Sequence, residues 1–212
     1  MSQNTSTAVM QRRQTKKADA SLDHFPTPPW ATRALCDWLE EYYGSLIHLT
    51  ALEPACAEGH MSRTLAEYFH SVRSTDIADY GFGEIQDFLW PNDLSADWIV
   101  TNPPFILARD FALTALEKAS RGVALIVRSA FVEGQARYAE LFGVHPPSDI
   151  LQFVERVAMV KGRLDREASS ATAYCWIVWR KGVHLGETRF HWLAPCRKRL
   201  ERANDYPMDI AG

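Results

Sequence analysis

The segment DWIVTNPPF, residues 97–105, carries an apolar run that ends in Asn102, two prolines and an aromatic ring. Two successive prolines cannot donate ladder hydrogen bonds, so a strand must stop there, and the backbone that follows Asn102 is held stiffly. The Asn102 amide oxygen and the Pro103 carbonyl then form a pair of acceptors, with Pro104 stiffening the turn and Phe105 offering a planar face. Two acceptors converging on one spot suit an NH2 group, and an aromatic face suits a planar substrate. This elbow is fit to hold an amine for reaction.

Three further polar stretches end strand-like runs. In LEPACAEGH, Glu53 closes a strand, Pro54 turns the chain, the small residues from Ala55 through Cys56 to Ala57 let a ligand approach the backbone, and Gly59 starts a helix. This is not GxGxxG, which argues against a bound pyrophosphate and a nicotinamide cofactor. Twenty-three residues after Glu53, Asp76 ends VRSTDI, where an acidic side chain can accept both hydroxyls of a ribose. In IQDFLW, Asp87 and Phe88 are placed to meet an adenine's amino group and face. Together these residues point to a cofactor that bears a nucleoside and no pyrophosphate.

The elements that must position them alternate. PPWATRALCDWLEEYYG reads as a helix capped by Thr27 and ended by Gly44. LTALEP, VRSTDI, DWIVTN and GVALIVRSA are strand-like, and the helical patterns GHMSRTLAEYFH and FILARDFALTALEKA lie between them. Short apolar strands separated by helices imply an open, doubly wound, mainly parallel sheet covered on both faces, with ligands at the C-terminal strand ends. Further on, EGQARYAELFG reads as a helix, ILQFVERVAMV and TAYCWIVWRK as strands, and TRFHWLA as one more. Trp176 and Trp179 read as packing residues. KGRLDREASSA is a polar loop whose Lys161, Arg163 and Arg166 suit phosphate contacts; solvated charge interleaved with Asp165 and Glu167 accounts for it equally well.

Length and composition set the bounds. The 212 residues, 47% of them hydrophobic, suffice for one α/β domain over residues 22–212, and residues 1–21 read as a flexible arm. A formal net charge of -3 gives no bulk attraction to polyanions, so any nucleic-acid contact must be local. Cys36, Cys56, Cys175 and Cys196 have neither metal-site nor disulfide-framework spacing, so no metal is expected and a reducing compartment fits. No apolar run reaches the length of a membrane span, which leads us to expect a cytoplasmic protein.

EPACAEG, DFLW and NPPF, in this order, resemble the class I S-adenosylmethionine-dependent methyltransferases that modify exocyclic amines, and most closely the gamma-group adenine-N6 DNA methyltransferases. FPTPPWATRAL is similar to the N-terminal motif of that family, and the resemblance spans residues 23–180. It implies a Rossmann-like α/β fold with an antiparallel C-terminal strand, S-adenosyl-L-methionine as cofactor, and adenine in DNA, preferred over RNA, as substrate. It also implies roles. Phe25, Pro26 and Thr27 would border the amino-acid end of the cofactor, and Glu53, Ala55 and Cys56 its middle, with Gly59 at the turn. Asp76 and Ile77 would hold ribose and adenine, Asp87 and Phe88 would flank the adenine ring, and Asn102, Pro103, Pro104 and Phe105 would hold the target base. Enzymes of that group usually carry a large C-terminal recognition domain, whereas about 30 residues follow WIVWRK here. That implies relaxed or short-site specificity, a single-stranded substrate, or recognition supplied by a homodimer or a partner protein. RNA amine methylation (adenine-N6 or guanine-N2), protein-glutamine methylation, and a non-catalytic module that binds cofactor or nucleic acid stay open as alternatives.

Overall fold

The computed structural model describes residues 24–182 and 187–206; the arm expected over residues 1–21 lies outside the described residues. Eight strands form one sheet: β1 Thr50–Glu53, β2 Ser71–Asp76, β3 Glu84–Ile85, β4 Ala96–Thr101, β5 Ala119–Arg128, β6 Asp149–Phe153, β7 Tyr174–Arg180 and β8 Arg189–Leu193. Their spatial order is β3-β2-β1-β4-β5-β7-β6-β8. Only β7 runs antiparallel to its neighbours; every other pairing is parallel. The mainly parallel, doubly wound sheet with an antiparallel C-terminal strand is therefore present as expected. The chain runs outward from β1 to β3 and returns to lay β4 on the other side of β1, so the winding reverses between β1 and β4. Glu53 and Thr101, at the C-terminal ends of those two strands, border the crevice in which such sheets bind ligands.

Each central strand buries both faces by alternation. Ala124 and Ile126 of β5 and Trp176 and Val178 of β7 point to one core, shared with Trp30, Leu35 and Leu39 of helix α1 (Pro29–Tyr43) and Met61 and Leu65 of helix α2 (His60–Leu65). Val123, Leu125 and Val127 of β5 and Cys175, Ile177 and Trp179 of β7 point to the other, where helix α3 (Ala108–Lys118) lays down Phe111, Ala112 and Ala115. Trp176 and Trp179 are thus core residues on opposite faces. The Trp176 indole N–H donates to Ala31 O at 3.0 Å and fixes α1 against β7. Gly122 of β5 lets the Trp98 ring lie flat on the sheet, for a Cβ there would come within 2.5 Å of that ring.

Four local expectations change. Thr27 does not cap α1: Pro28 holds that position without a side-chain bond, and the buried Thr27 Oγ1 has no hydrogen-bond partner among the described residues. The segment before Asp87 pairs over only two residues, Glu84–Ile85, so Asp87 opens a turn just beyond a very short strand rather than ending a long one. EGQARYAELFG winds as a short α-turn, Gln135–Arg137, that widens into a π-helical turn at Tyr138–Phe142. Strand β6 stops at Phe153, because Glu155 turns away to accept the backbone N–H groups of Cys196 and Arg197 at the start of helix α4 (Arg197–Leu200). No helix among the described residues is long and apolar enough to cross a membrane, and no group of three metal-ligating side chains occurs among them. All four cysteines are free thiols and buried.

Candidate functional site

Strand β4 delivers Asn102 to the crevice, and three separate parts of the chain meet there. The Asn102 side-chain NH2 donates to the Phe25 carbonyl at 2.7 Å and lies 3.7 Å from Met159 Sδ. With its donors so engaged, the amide turns its Oδ1 to the acceptor role. Pro103 is buried behind it, and the Pro104 carbonyl accepts from Leu107 N at 2.9 Å, opening the 3₁₀ turn Phe105–Leu107 that leads into α3. Phe105 is half-buried beside Phe25, with ring centroids 5.5 Å apart. The segment 24–27 is held from its other side as well, because Gly162 N donates to the His24 carbonyl at 2.8 Å. The elbow NPPF, the segment before α1 and the loop after β6 therefore form one unit.

The β1 and β2 ends form the second half of the crevice. The chain turns at Pro54–Gly59: Cys56 N donates to Thr75 O at 3.0 Å and Gly59 N to Cys56 O at 2.7 Å. Ala57 takes φ +43°, the sole positive value for a non-glycine among the described residues, and Gly59 takes φ +80°. A side chain at Gly59 would strike the Phe82 ring at 2.3 Å, so both the backbone angle and the close approach require glycine. Asp76 is buried, and its carboxylate accepts from Ala57 N and Ala78 N, both at 3.0 Å. Burial raises its pKa, opposed by those backbone N–H donors. Ile77 follows it at the mouth of the turn, half-buried. Burial also pushes the Cys56 thiol up to about 12, aided by Glu53 and Asp76, so it is not a nucleophile near neutral pH.

Glu53 lies deepest, 2% exposed, and accepts from Ser62 Oγ, which in turn accepts from Ser74 Oγ at 2.6 Å. Burial holds its carboxyl well above the usual range, more strongly than the Ser62 bond lowers it. Glu53 thus binds its proton more tightly folded than unfolded, and stability falls as pH rises past the ordinary glutamate range. Glu53→Gln is therefore expected to raise the thermal midpoint at pH 7–8 by roughly 2–4 °C, the gain fading as pH falls below about 4. Thermal melts across that pH range check it, and a midpoint at neutral pH equal to or below that of the parent protein contradicts it.

Asp87 and Phe88 stand near the β3 end. Asp87 accepts from Leu89 N at 2.9 Å, while Asn92 Nδ2 bonds the Asp87, Phe88 and Trp90 carbonyls and shapes the turn. The Phe88 ring, 2% exposed, packs on Phe111 in the α3-side core rather than opening to the crevice. Lys161 and Arg163 are exposed; Arg163 pairs with Asp165 at 3.0 Å and Arg166 with Glu201 at 3.3 Å. Sequence reasoning missed the His24–Gly162 tie, Met159 beside Asn102, and Arg128, whose guanidinium lies over Phe105 at 4.1 Å. The basic character of Arg128 at a strand end was the one signal available for it.

No protein-family model and no curated protein matches the chain. Solved structures do match. A Listeria monocytogenes protein assigned to the class I S-adenosylmethionine-dependent methyltransferases superposes with a TM-score of 0.62 at 13% identity, over 82% of this chain and 68% of that one. A Pyrococcus horikoshii protein assigned as an RNA methyltransferase gives 0.58 at 16% identity, over 76% of this chain and 88% of that one. The methyltransferase subunit of a type I restriction-modification system from Streptococcus thermophilus gives 0.61 at 11% identity, over 80% of this chain but only 47% of that one. At these identities the likeness is one of architecture: the chain has the Rossmann-like fold of class I methyltransferases.

Proposed function

We propose that the protein transfers a methyl group from S-adenosyl-L-methionine to the exocyclic N6 of adenine in DNA. The observation that carries this reading is the Asn102 amide, whose NH2 is committed to the Phe25 carbonyl at 2.7 Å, so that Oδ1 faces substrate as an acceptor beside the Pro103 carbonyl. Adenine N6 is a weak nucleophile because its lone pair is delocalised into the ring. Two acceptors on its hydrogens draw the nitrogen towards a tetrahedral form with a localised lone pair, while Phe105 holds the ring plane. In this reading the methylated nitrogen releases its extra proton to water only after transfer, so no general base is needed to start the reaction, and the work of the site is orientation, an effect of about 7–11 kcal/mol in favourable systems.

The crevice fits the cofactor on three counts. Thr27 Oγ1 is buried without a partner among the described residues and stands next to the segment that holds Asn102, available to the amino-acid end. Asp76 keeps acceptor capacity for ribose hydroxyls beyond its two backbone bonds. Ala55, Cys56 and Gly59 keep the β1 turn free of bulk. Phe25, Pro26, Glu53, Ile77, Asp87 and the backbone of Phe88 complete the lining. The bound sulfonium would supply an activated methyl group; the chain's own residues place the acceptor in line with it. A base within a duplex must be flipped out to reach Phe105, at a few kcal/mol. The S. thermophilus subunit belongs to a restriction-modification system, in keeping with a DNA substrate, whereas the P. horikoshii neighbour keeps RNA as the alternative.

The test is incubation of the protein with S-adenosyl-L-methionine and duplex DNA, single-stranded DNA or RNA in parallel, followed by nucleoside mass spectrometry. N6-methyladenine in a DNA arm is the expected result. Modification confined to RNA moves the proposal to that substrate, and cofactor binding without any modified nucleoside overturns it.

A further inference from the structure

The face of Phe105 is occupied. The guanidinium carbon of Arg128 lies 4.1 Å from the centre of that ring, the separation of a planar cation stacked on an aromatic face. Arg128 is the last residue of β5, exposed at the same edge of the sheet as the NPPF elbow. Because Val127 faces the α3-side core, alternation turns Arg128 to the α1 side, where Phe25 and Phe105 pack. Among the described residues no carboxylate lies within ion-pair distance of it. Other arginines along that edge are committed: Arg163 to Asp165, Arg166 and Arg197 to Glu201, Arg199 to Asp37.

We propose that Arg128 is the residue that selects a phosphate-bearing substrate. This rests on the reading that Phe105 stacks the target base. In the free protein the guanidinium fills the place of that base, and on binding it leaves the ring for a phosphate of the substrate strand. The chemistry of arginine suits both positions: its planar group stacks as a base does, and its fork of donors grips a phosphate. An acceptor without phosphate, such as adenosine or a glutamine amide, would have to displace the cation with nothing offered in return. A polynucleotide offers the cation an anionic partner, which the described residues do not. Arg128 thereby converts a pocket for a planar amine into a pocket for a planar amine on a phosphodiester chain.

Arg128→Ala and Arg128→Lys separate the two roles, since lysine keeps the charge and gives up the planar stack. Binding of a fluorescent adenine-containing oligonucleotide is measured against salt, with cofactor affinity and thermal midpoint as controls that must stay unchanged. The alanine variant is expected to bind the oligonucleotide roughly tenfold more weakly. The slope of its log affinity against log salt should drop by about 0.7–0.9, one phosphate contact, while the lysine variant keeps the parent slope. With methyl transfer as the readout, the KM for the oligonucleotide rises in Arg128→Ala while the KM for adenosine falls or holds. An alanine variant with the parent's salt slope and oligonucleotide affinity overturns the role of Arg128, as does a parent protein that binds no oligonucleotide. Binding that follows the expected pattern without any methyl transfer leaves Arg128 standing and overturns the catalytic reading instead.

Discussion

Asn102→Ala should lower kcat for methyl transfer by about two to three orders of magnitude, the loss typical when one positioned hydrogen-bonding group is removed from a reacting centre. The amide has two jobs, and both follow from its geometry. Its NH2 holds the Phe25 carbonyl at 2.7 Å, and with that donor engaged the Oδ1 is the acceptor that the proposed mechanism assigns to the substrate amine. Alanine removes the acceptor and frees the Phe25 segment, so a structural effect must be told apart from a catalytic one. Cofactor affinity and the thermal midpoint serve for that: near-parent values of both with kcat lost place the effect on the reacting amine. Asn102→Asp sharpens the test. A carboxylate keeps acceptors but sets a negative oxygen against the Phe25 carbonyl, and only its protonated form can donate there. Its activity, relative to the parent, is therefore expected to rise as pH falls. Transfer near the parent rate in the alanine variant, or an aspartate variant with the parent's pH profile, would count against the acceptor role.

The parts of this site that were legible in the sequence are those whose chemistry is local. NPPF announces its rigidity in its own residues, and Glu53 and Asp76 announce themselves as acidic residues at the ends of strand-like runs. The β4, β5 and β7 strands were equally plain, since a strand buried on both faces must be apolar throughout. Strand β3 was not, because two exposed residues, held to β2 by two backbone pairs and the Arg73–Glu84 ion pair, leave no apolar pattern. The end of β6 was hidden for a different reason: VERVAMV continues a plausible alternation, and what stops it is Glu155 capturing the start of α4 some forty residues later. Thr27 looked like a cap because Thr often is one, but Pro28 already supplies the fixed φ that starts α1. Phe88 read as a base platform by its neighbour Asp87, yet a ring this apolar gains more by packing on Phe111. Arg128 and Met159 reach the site only by tertiary folding, so no spacing in the chain brings them to Asn102 and Phe105.

The largest stability effect is expected at Arg33, far from any substrate. This α1 residue is 3% exposed and donates through Nε and Nη2 to Glu67 at 2.9 Å, through Nη1 and Nη2 to Asp205 at 2.7 Å, and through Nη1 to the Leu200 carbonyl at 2.7 Å. The two carboxylates raise its pKa above its ordinary value, against the burial that lowers it. One guanidinium thus ties α1 to the turn after α2 and to the segment after α4. Arg33→Met removes the cation but leaves the Asp205 carboxylate, its side chain 3% exposed, with only the Arg202 N–H as donor. Breaking such a pair from one side costs about 3–5 kcal/mol, whereas replacing both partners with apolar groups is often close to neutral. Arg33→Met is therefore expected to lower the unfolding free energy, read from denaturant titration, by about that amount, and the double variant Arg33→Met/Asp205→Leu to recover a large part of it. A double variant as unstable as the sum of its two single variants would mean that Arg33 and Asp205 are not coupled and that the loss comes from their separate bonds to Glu67, the Leu200 carbonyl and Arg202 N, which contradicts this account. On the proposed function the same network would bear on catalysis, because only the cap residue Pro28 separates α1 from Phe25, Pro26 and Thr27. A helix α1 released at Arg33 loosens the carbonyl that aims Asn102, so kcat should fall in Arg33→Met even under conditions where the protein remains folded.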